Sequence, residues 1–223
     1  MTATVNHNAK MDPDYVMSIP LSTYRSSLCE RTLRVLDLIG SEPEYAGAAD
    51  GNILSLLYTL IHSCQMRKVL QLGTHIGFST VVLADALCKI DGTLLTVDVS
   101  GCHLDKARSF VRQAGLEQYV RFLLGSSLDK EVLSKIKSEV PYDLVFVDSS
   151  HSYEATLVEL SYYWPCIRPS GYVALHDTGK AAVAFDPTGQ GGVRRAVREW
   201  VKQREDCNHV FLEPPVWPNP SHP

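Results

Sequence analysis

The sequence predicts an α/β fold, a mostly parallel central sheet with helices on both faces. Three observations predict it. Short apolar runs ending in Gly or Asp recur through the middle of the chain, each followed by a segment of helical periodicity. The runs are apolar at successive residues rather than alternating, as strands buried on both faces require. A chain of 223 residues, 45% of them hydrophobic, supplies one sizeable core and is read as a single domain over residues 1–223.

In chain order, the stretch MTATVNHNAKMDPD (1–14) is polar, without an apolar run, and reads as a flexible tail rather than a signal peptide. Residues 15–64 hold two helices, Leu21 to Ile39 and Gly51 to Cys64, split by the turn-prone Gly40-Ser41-Glu42-Pro43 and expected beside the ligand cleft. The strands are Lys68 to Leu72, Leu94 to Asp98, Val120 to Gly125, Tyr142 to Asp148 and Tyr172 to Asp177. Between them lie helices Ser79 to Lys89, His103 to Ala114, Leu128 to Val140 and Tyr153 to Ile167, long enough for right-handed crossovers. Function is then expected at the carboxyl ends of the strands. The segment Gly179 to Gly192 is glycine-rich near its end and reads as a mobile lid. A helix Val193 to Gln203, a short strand His209 to Glu213 and a Pro-rich tail (214–223) close the chain.

The balance of 21 Lys+Arg against 25 Asp+Glu sets up no field for nucleic acid or an anionic membrane. No segment is apolar enough to span a bilayer. The six cysteines are scattered without a C-x-x-C pair, which argues against a zinc knuckle or disulfide framework and for a reducing cytoplasm. The expected partners are a small-molecule substrate and a second copy of the chain.

The first strand, VLQLG, runs into Gly73-Thr74-His75-Ile76-Gly77 and then a helix starting near Ser79, so a glycine turn lies beneath a helix N-terminus. Its GxxxG spacing lacks the GxGxxG pattern of dinucleotide sites, which disfavours a nicotinamide cofactor. Asp98, followed by Val99, ends the second strand, where a carboxylate accepts from two ribose hydroxyls. Gly125-Ser126-Ser127 ends the third, placed for an adenine edge, although its serines would equally cap a helix. With an aspartate, Asp148, ending the fourth strand, the set predicts S-adenosyl-L-methionine (AdoMet).

At VLQLGTHIGFST, LLTVDVS, the GSS turn, YDLVFVDSSHSYE and GYVALHDT the sequence resembles the class I AdoMet-dependent methyltransferases with their Rossmann-like fold. The resemblance is to the small catechol and caffeoyl-CoA type O-methyltransferases and their bacterial relatives, and covers about Gly51 to Asp177. It implies that Gly73, His75, Ser79, Asp98 and Ser127 line the cofactor pocket. Gln71 stands where the family usually has Glu, which implies that the charged contact near the methionine amine is weakened or supplied elsewhere. The family's closing two-stranded hairpin is represented only by HVFLE, so a missing or displaced last strand is expected.

Asp148 and Asp177 end neighbouring strands, and two convergent carboxylates point to a hard cation. The resemblance implies magnesium held by Asp148, Asp177 and Thr178, with His176 an alternative third ligand better suited to softer metals. His151, three residues after Asp148, is the first candidate base, since imidazole titrates near neutrality; His176 and Lys180 are the alternatives. Simpler roles stand beside these. Asp148 would also cap the next helix, His151 would also be a surface residue, and His75 would supply only its amide. Tyr153, Tyr162, Tyr163 and Trp164 read as core more readily than as a substrate wall, and Arg194, Arg195 and Arg198 as a solvated helix face. The expected activity is metal-assisted O-methylation of a small hydroxylated molecule, catechol-like or a natural product. The alternatives are metal-independent O- or N-methylation, or a fold that binds AdoMet without transferring methyl.

Overall fold

The computed structural model describes residues 16–17, 24–49 and 51–212; the expected tails, 1–14 and 214–223, lie outside the described residues. The chain passes through β1 (Val16–Met17), α1 (Glu30–Ile39) and α2 (Gly51–Ser63) before the alternating region begins. That region comprises β2 (Lys68–Leu72), α3 (Phe78–Cys88), β3 (Thr93–Asp98), α4 (Gly101–Ala114), β4 (Val120–Leu124), α5 (Lys130–Lys137), β5 (Tyr142–Val147), α6 (Tyr153–Tyr163) and β6 (Ile167–Leu175). Then follow α7 (Gly192–Lys202) and β7 (Phe211–Leu212).

Five strands form a parallel sheet in the order β4-β3-β2-β5-β6, the α/β fold expected from the buried apolar runs. The order reverses at β2, so the carboxyl ends of β2, β3 and β5 border the crevice where open α/β sheets bind ligands. Alternate strand residues face opposite sides. Val69, Leu94 and Leu144 pack under α1 to α4, while Leu70, Leu95 and Val145 pack under α5 and α6. Among the described residues no helix is long and apolar enough to cross a membrane.

α3 is apolar on every side because it lies between the sheet and the two N-terminal helices. Its single buried acid, Asp85, fastens those helices. It accepts from Thr32 Oγ1 at 2.7 Å, Tyr58 Oη at 3.2 Å and the Cys29 amide at 3.2 Å, and pairs with Lys89 at 3.2 Å.

Several boundaries differ from the sequence expectation. α1 begins at Glu30 rather than Leu21, because Leu28 and Cys29 are extended where the Cys29 amide reaches Asp85. α5 ends at Lys137 rather than Val140, since Pro141 disfavours helical geometry in the residue before it. α6 stops at Tyr163 because Pro165 follows. Among the described residues of the stretch His209 to Glu213 the strand is Phe211–Leu212, and it pairs with β1, not with the central sheet. Phe211 is drawn away by its burial against Leu160, Val193 and Val197.

Arg194 corrects the solvated-face reading of α7: it is buried, its guanidinium donates to the Thr178 carbonyl at 2.7 Å, and it stacks over Phe211. The segment expected as a mobile lid holds a 3-10 turn, Ala181–Phe185, followed by a hydrogen-bonded turn. The buried Asp186 carboxylate accepts from Thr188 Oγ1 at 2.7 Å and from the Thr188 and Gly192 amides at 2.9 Å each.

Candidate active site

The strand ends enclose a cavity of about 510 Å³. Gly73, Thr74, His75, Ser79, Asp98, Val99, Gly125, Ser126, Ser127, Asp148 and His151 all line it. Gly77, predicted with them, does not. It has φ +94°, and a Cβ there would lie 2.8 Å from that of Ala107, so its bareness seats α4. Gly73 also meets protein first: at φ +93°, an added Cβ would sit 1.9 Å from the Asp148 carbonyl oxygen. The two glycines thus permit close packing of backbone and helix at the sheet's reversal point, where the sequence reading assigned the turn to ligand approach.

Asp98 ties the turn down. Its Oδ2 accepts from the Thr74 amide at 3.0 Å and the His75 amide at 2.8 Å, and its Oδ1 from the Ser100 amide at 2.8 Å. A carboxylate has about four acceptor sites, so these three bonds leave roughly one for a ligand. His75, at φ +48°, stacks edge-on against His103 with centroids 4.8 Å apart. Burial, then the His103 charge, hold its pKa below the ordinary imidazole value.

Gln71 lies beneath the turn, fully buried and absent from the cavity wall. Its Nε2 donates to the Gly73 carbonyl at 2.9 Å and Ser79 Oγ at 2.8 Å, and its Oε1 accepts from Thr80 Oγ1 at 3.0 Å. This amide joins β2 to the first turn of α3, both donating and accepting where an ionised carboxylate would only accept.

At the other end of the cleft Asp148, His176 and Asp177 each bring one potential ligand atom within 4.8 Å of the others. His176 Nδ1 lies 3.1 Å from Asp148 Oδ1 and 3.2 Å from Asp177 Oδ2. His151 Nδ1 lies 2.8 Å from the same Asp177 oxygen. Burial pushes the Asp177 carboxyl up, but hydrogen bonds from His151 and His176 outweigh it and leave the group well below the usual carboxylate range. That same hydrogen bond to Asp177 raises the pKa of His151 against burial. His151 is 43% exposed, whereas His176 is 16% exposed. Thr178 offers its carbonyl to Arg194, and Lys180 is an exposed residue outside the cavity wall.

Residues 70–178 match the family model of the methyltransferase domain. A catechol O-methyltransferase of Niastella koreensis is 35% identical over 101 residues, 44% of this chain and 43% of its own length. A relative in Mycobacterium bovis, provisionally named an O-methyltransferase, is 31% identical over 158 residues, 69% of this chain and 66% of its own. The chain thus spans about two fifths to two thirds of the length of these relatives. Among solved structures, the O-methyltransferase TomG of Streptomyces achromogenes, involved in tomaymycin synthesis and complexed with AdoMet, superposes with a TM-score of 0.65. It is 26% identical, covering 83% of this chain and 85% of TomG. The chain belongs to the class I AdoMet-dependent methyltransferases.

Sequence reasoning missed several parts of this methyltransferase's cleft. Ala48 and Ala49 reach the cavity from the loop before α2, together with Phe78, His103, Ser149 and Ser150. None of Tyr153, Tyr162, Tyr163 or Trp164 lines it. The most consequential omission is Glu159. This fully buried α6 carboxylate accepts on Oε1 from Ser127 Oγ at 2.5 Å and from Ser149 Oγ. Its Oε2 is buried without a hydrogen-bond partner among the described residues. Burial raises its pKa, with the serine hydrogen bonds opposing. The signal was an acid within the stripe Thr156, Leu160 and Tyr163, the buried face of α6.

As a donor set for a cation, Asp148, Asp177 and His176 offer two carboxylate oxygens and one imidazole nitrogen. The set fits a divalent ion, and its nitrogen suits softer metals better than magnesium, which prefers oxygen.

Proposed function

We propose that this protein is an O-methyltransferase that transfers the AdoMet methyl group to a small hydroxylated molecule, with Asp177-oriented His151 as the base. A catechol-like acceptor is the starting choice, on the name of the Niastella relative. The observation that carries the reading is the His151–Asp177 pair at the edge of the cofactor cleft. With Nδ1–H donated to Asp177, the His151 ring keeps Nε2 as the acceptor for a substrate hydroxyl proton. The acceptor oxygen then attacks the methyl carbon. The C–O bond forms as the S–CH3 bond breaks, sulfur keeps the electron pair, and the products are the methyl ether and S-adenosylhomocysteine. Gly73 to His75 and Asp98 support the cofactor's amino-acid and ribose portions, and the Gly125 to Ser127 turn its adenine.

Asp148, Asp177 and His176 are the residues to hold a divalent cation, which when bound would acidify and orient the acceptor hydroxyl. A second, metal-independent reading is favoured by one feature: His176 Nδ1 sits between both carboxylates and already offsets their repulsion. S-adenosylhomocysteine release with catechol as acceptor, before and after exhaustive chelation and after adding back magnesium or manganese, separates the two. Activity lost on chelation and restored by a metal supports the cation; activity unchanged by chelation overturns it. The absence of product with any hydroxylated acceptor under both conditions counts against O-methylation itself. The scattered spacing of the six cysteines, without a C-x-x-C pair, supports a reducing compartment such as the cytoplasm.

A further inference from the structure

Glu159 does not line the cofactor cleft, yet its carboxylate reaches two turns that do. Its Oε1 accepts from Ser127 Oγ, after β4, at 2.5 Å and from Ser149 Oγ, after β5. Its Oε2 has no hydrogen-bond partner among the described residues, so one oxygen holds both turns. The two serines differ in what else fixes them. Ser127 is gripped a second time from α6, its carbonyl accepting from Tyr163 Oη at 2.5 Å. Ser149 has no second hydrogen bond of this kind among the described residues.

Ser149 belongs to the short loop that carries His151. One end of the loop is fixed where the Asp148 amide donates to the Leu72 carbonyl at 2.8 Å. The other is fixed where Ser152 caps α6, its Oγ accepting from the Ala155 amide at 3.4 Å. Between these ends two side chains tie the loop to its surroundings, Ser149 to Glu159 and His151 Nδ1 to Asp177. The His151 imidazole is 43% exposed, so packing around the ring does not set its direction and the backbone beneath it must. Glu159 reaches back from the second turn of α6 to hold that backbone two residues before the histidine.

We propose that Glu159 is a positioning residue for methyl transfer: by holding Ser149 it sets the loop so that His151 meets both Asp177 and the acceptor hydroxyl. The inference rests on the reading of His151 as the base. The hold needs an acceptor oxygen rather than a negative charge. A glutamine at 159 offers the same oxygen with two lone pairs, whereas methionine offers only a weakly accepting sulfur. A base displaced by about 1 Å costs on the order of 100-fold in rate. The Ser127 turn keeps its Tyr163 contact when the carboxylate is lost, so the cost falls on turnover and not on the cofactor.

The test pairs steady-state kinetics of the full chain, with AdoMet and catechol, with calorimetric titration by S-adenosylhomocysteine. Glu159→Met is expected to lower kcat about 10- to 100-fold while S-adenosylhomocysteine affinity stays within about threefold. Glu159→Gln is expected to keep kcat within about threefold of wild type, because its oxygen still accepts from Ser149. Ser149→Ala is expected to lower kcat about 10- to 100-fold alone and by less than about twofold in the Glu159→Met background, since both changes remove one interaction. In a crystal structure of Glu159→Met, His151 Nδ1 is expected beyond hydrogen-bonding distance of Asp177. Wild-type kcat in Glu159→Met, equal losses in the methionine and glutamine variants, or additive losses in the double variant overturn the proposal. So does a parallel fall in kcat and cofactor affinity, or an unmoved His151 in the crystal. Should Glu159→Met fail to fold by circular dichroism, Ser149→Ala decides: a lowered kcat with retained S-adenosylhomocysteine affinity supports the proposal, and wild-type kcat overturns it. Full activity in His151→Ala overturns the base reading, and this inference with it.

Discussion

The Asp177 carboxylate holds the His151 imidazole through Nδ1 at 2.8 Å, and Asp177 adopts a left-handed backbone, φ +55°, at the end of β6. A non-glycine residue in that conformation costs about 1–3 kcal/mol unless its surroundings enforce it. Here the enforcing contacts are the two histidines on its carboxylate. His151→Ala is expected to lower kcat about 100- to 10,000-fold, the usual share of a positioned base, with little change in AdoMet affinity. Steady-state kinetics with saturating acceptor, paired with cofactor titration, check this. A parallel loss of cofactor affinity would assign His151 to binding.

Gly73→Ala is expected to damage both fold and site. The left-handed φ alone costs about 1–3 kcal/mol for a residue bearing Cβ. The added methyl would also collide with the Asp148 carbonyl at 1.9 Å, forcing apart the ends of β2 and β5. The amides of Thr74 and His75 would then lose their register on Asp98. Urea unfolding should show the lower midpoint, and AdoMet binding should fall more than tenfold, about 1.4 kcal/mol, even where the variant remains folded.

Asp85→Ala isolates the docking of the N-terminal helices. The substitution leaves Lys89 without its buried partner and strips acceptors from Thr32, Tyr58 and the Cys29 amide. Breaking a buried ion pair from one side typically costs about 3–5 kcal/mol. Because α1 and α2 pack on α3 through this residue, amide exchange should accelerate first in those helices and least in β2 and β5.

The unequal legibility of these features has a physical basis. The strand runs declared themselves because a strand buried on both faces must be apolar throughout, and Leu70, Val97 and Val145 carry no other message. The cleft residues were legible wherever chemistry sits at a strand end, as at Asp98, Ser127 and Asp148. What the side chains do there was not. Whether Gly73 faces ligand or protein depends on Asp148, distant in sequence, and Arg194 reads as solvated until the Thr178 carbonyl is seen opposite it. The last strand, read as missing or displaced, is displaced because Phe211 is drawn to α6 and α7, a tertiary preference that a five-residue apolar run does not itself encode. Glu159 escaped because a period-based reading counts an acid among helix residues as solvent-facing, and only the serines of two remote loops make its burial tolerable.

Those serines do not remove the cost of burying Glu159, and the residual cost should appear as pH-dependent stability. Burial, the largest influence, raises its pKa in the folded protein above the unfolded value. Between those two pKa values the folded state binds more protons than the unfolded chain, so stability falls as pH rises through the window and levels off above it. The unfavourable contribution is absent below the unfolded pKa, where both states are protonated. Glu159→Met cannot ionise and lacks this loss. The difference in Tm between Glu159→Met and wild type is therefore expected to grow in the variant's favour from acid toward neutral pH and then become constant. Differential scanning calorimetry across that range checks it, and the subtraction cancels groups common to both proteins, including Asp177, whose lowered pKa acts with the opposite sign. A difference that stays flat with pH would show that the two serine hydrogen bonds fully offset the burial of the carboxylate.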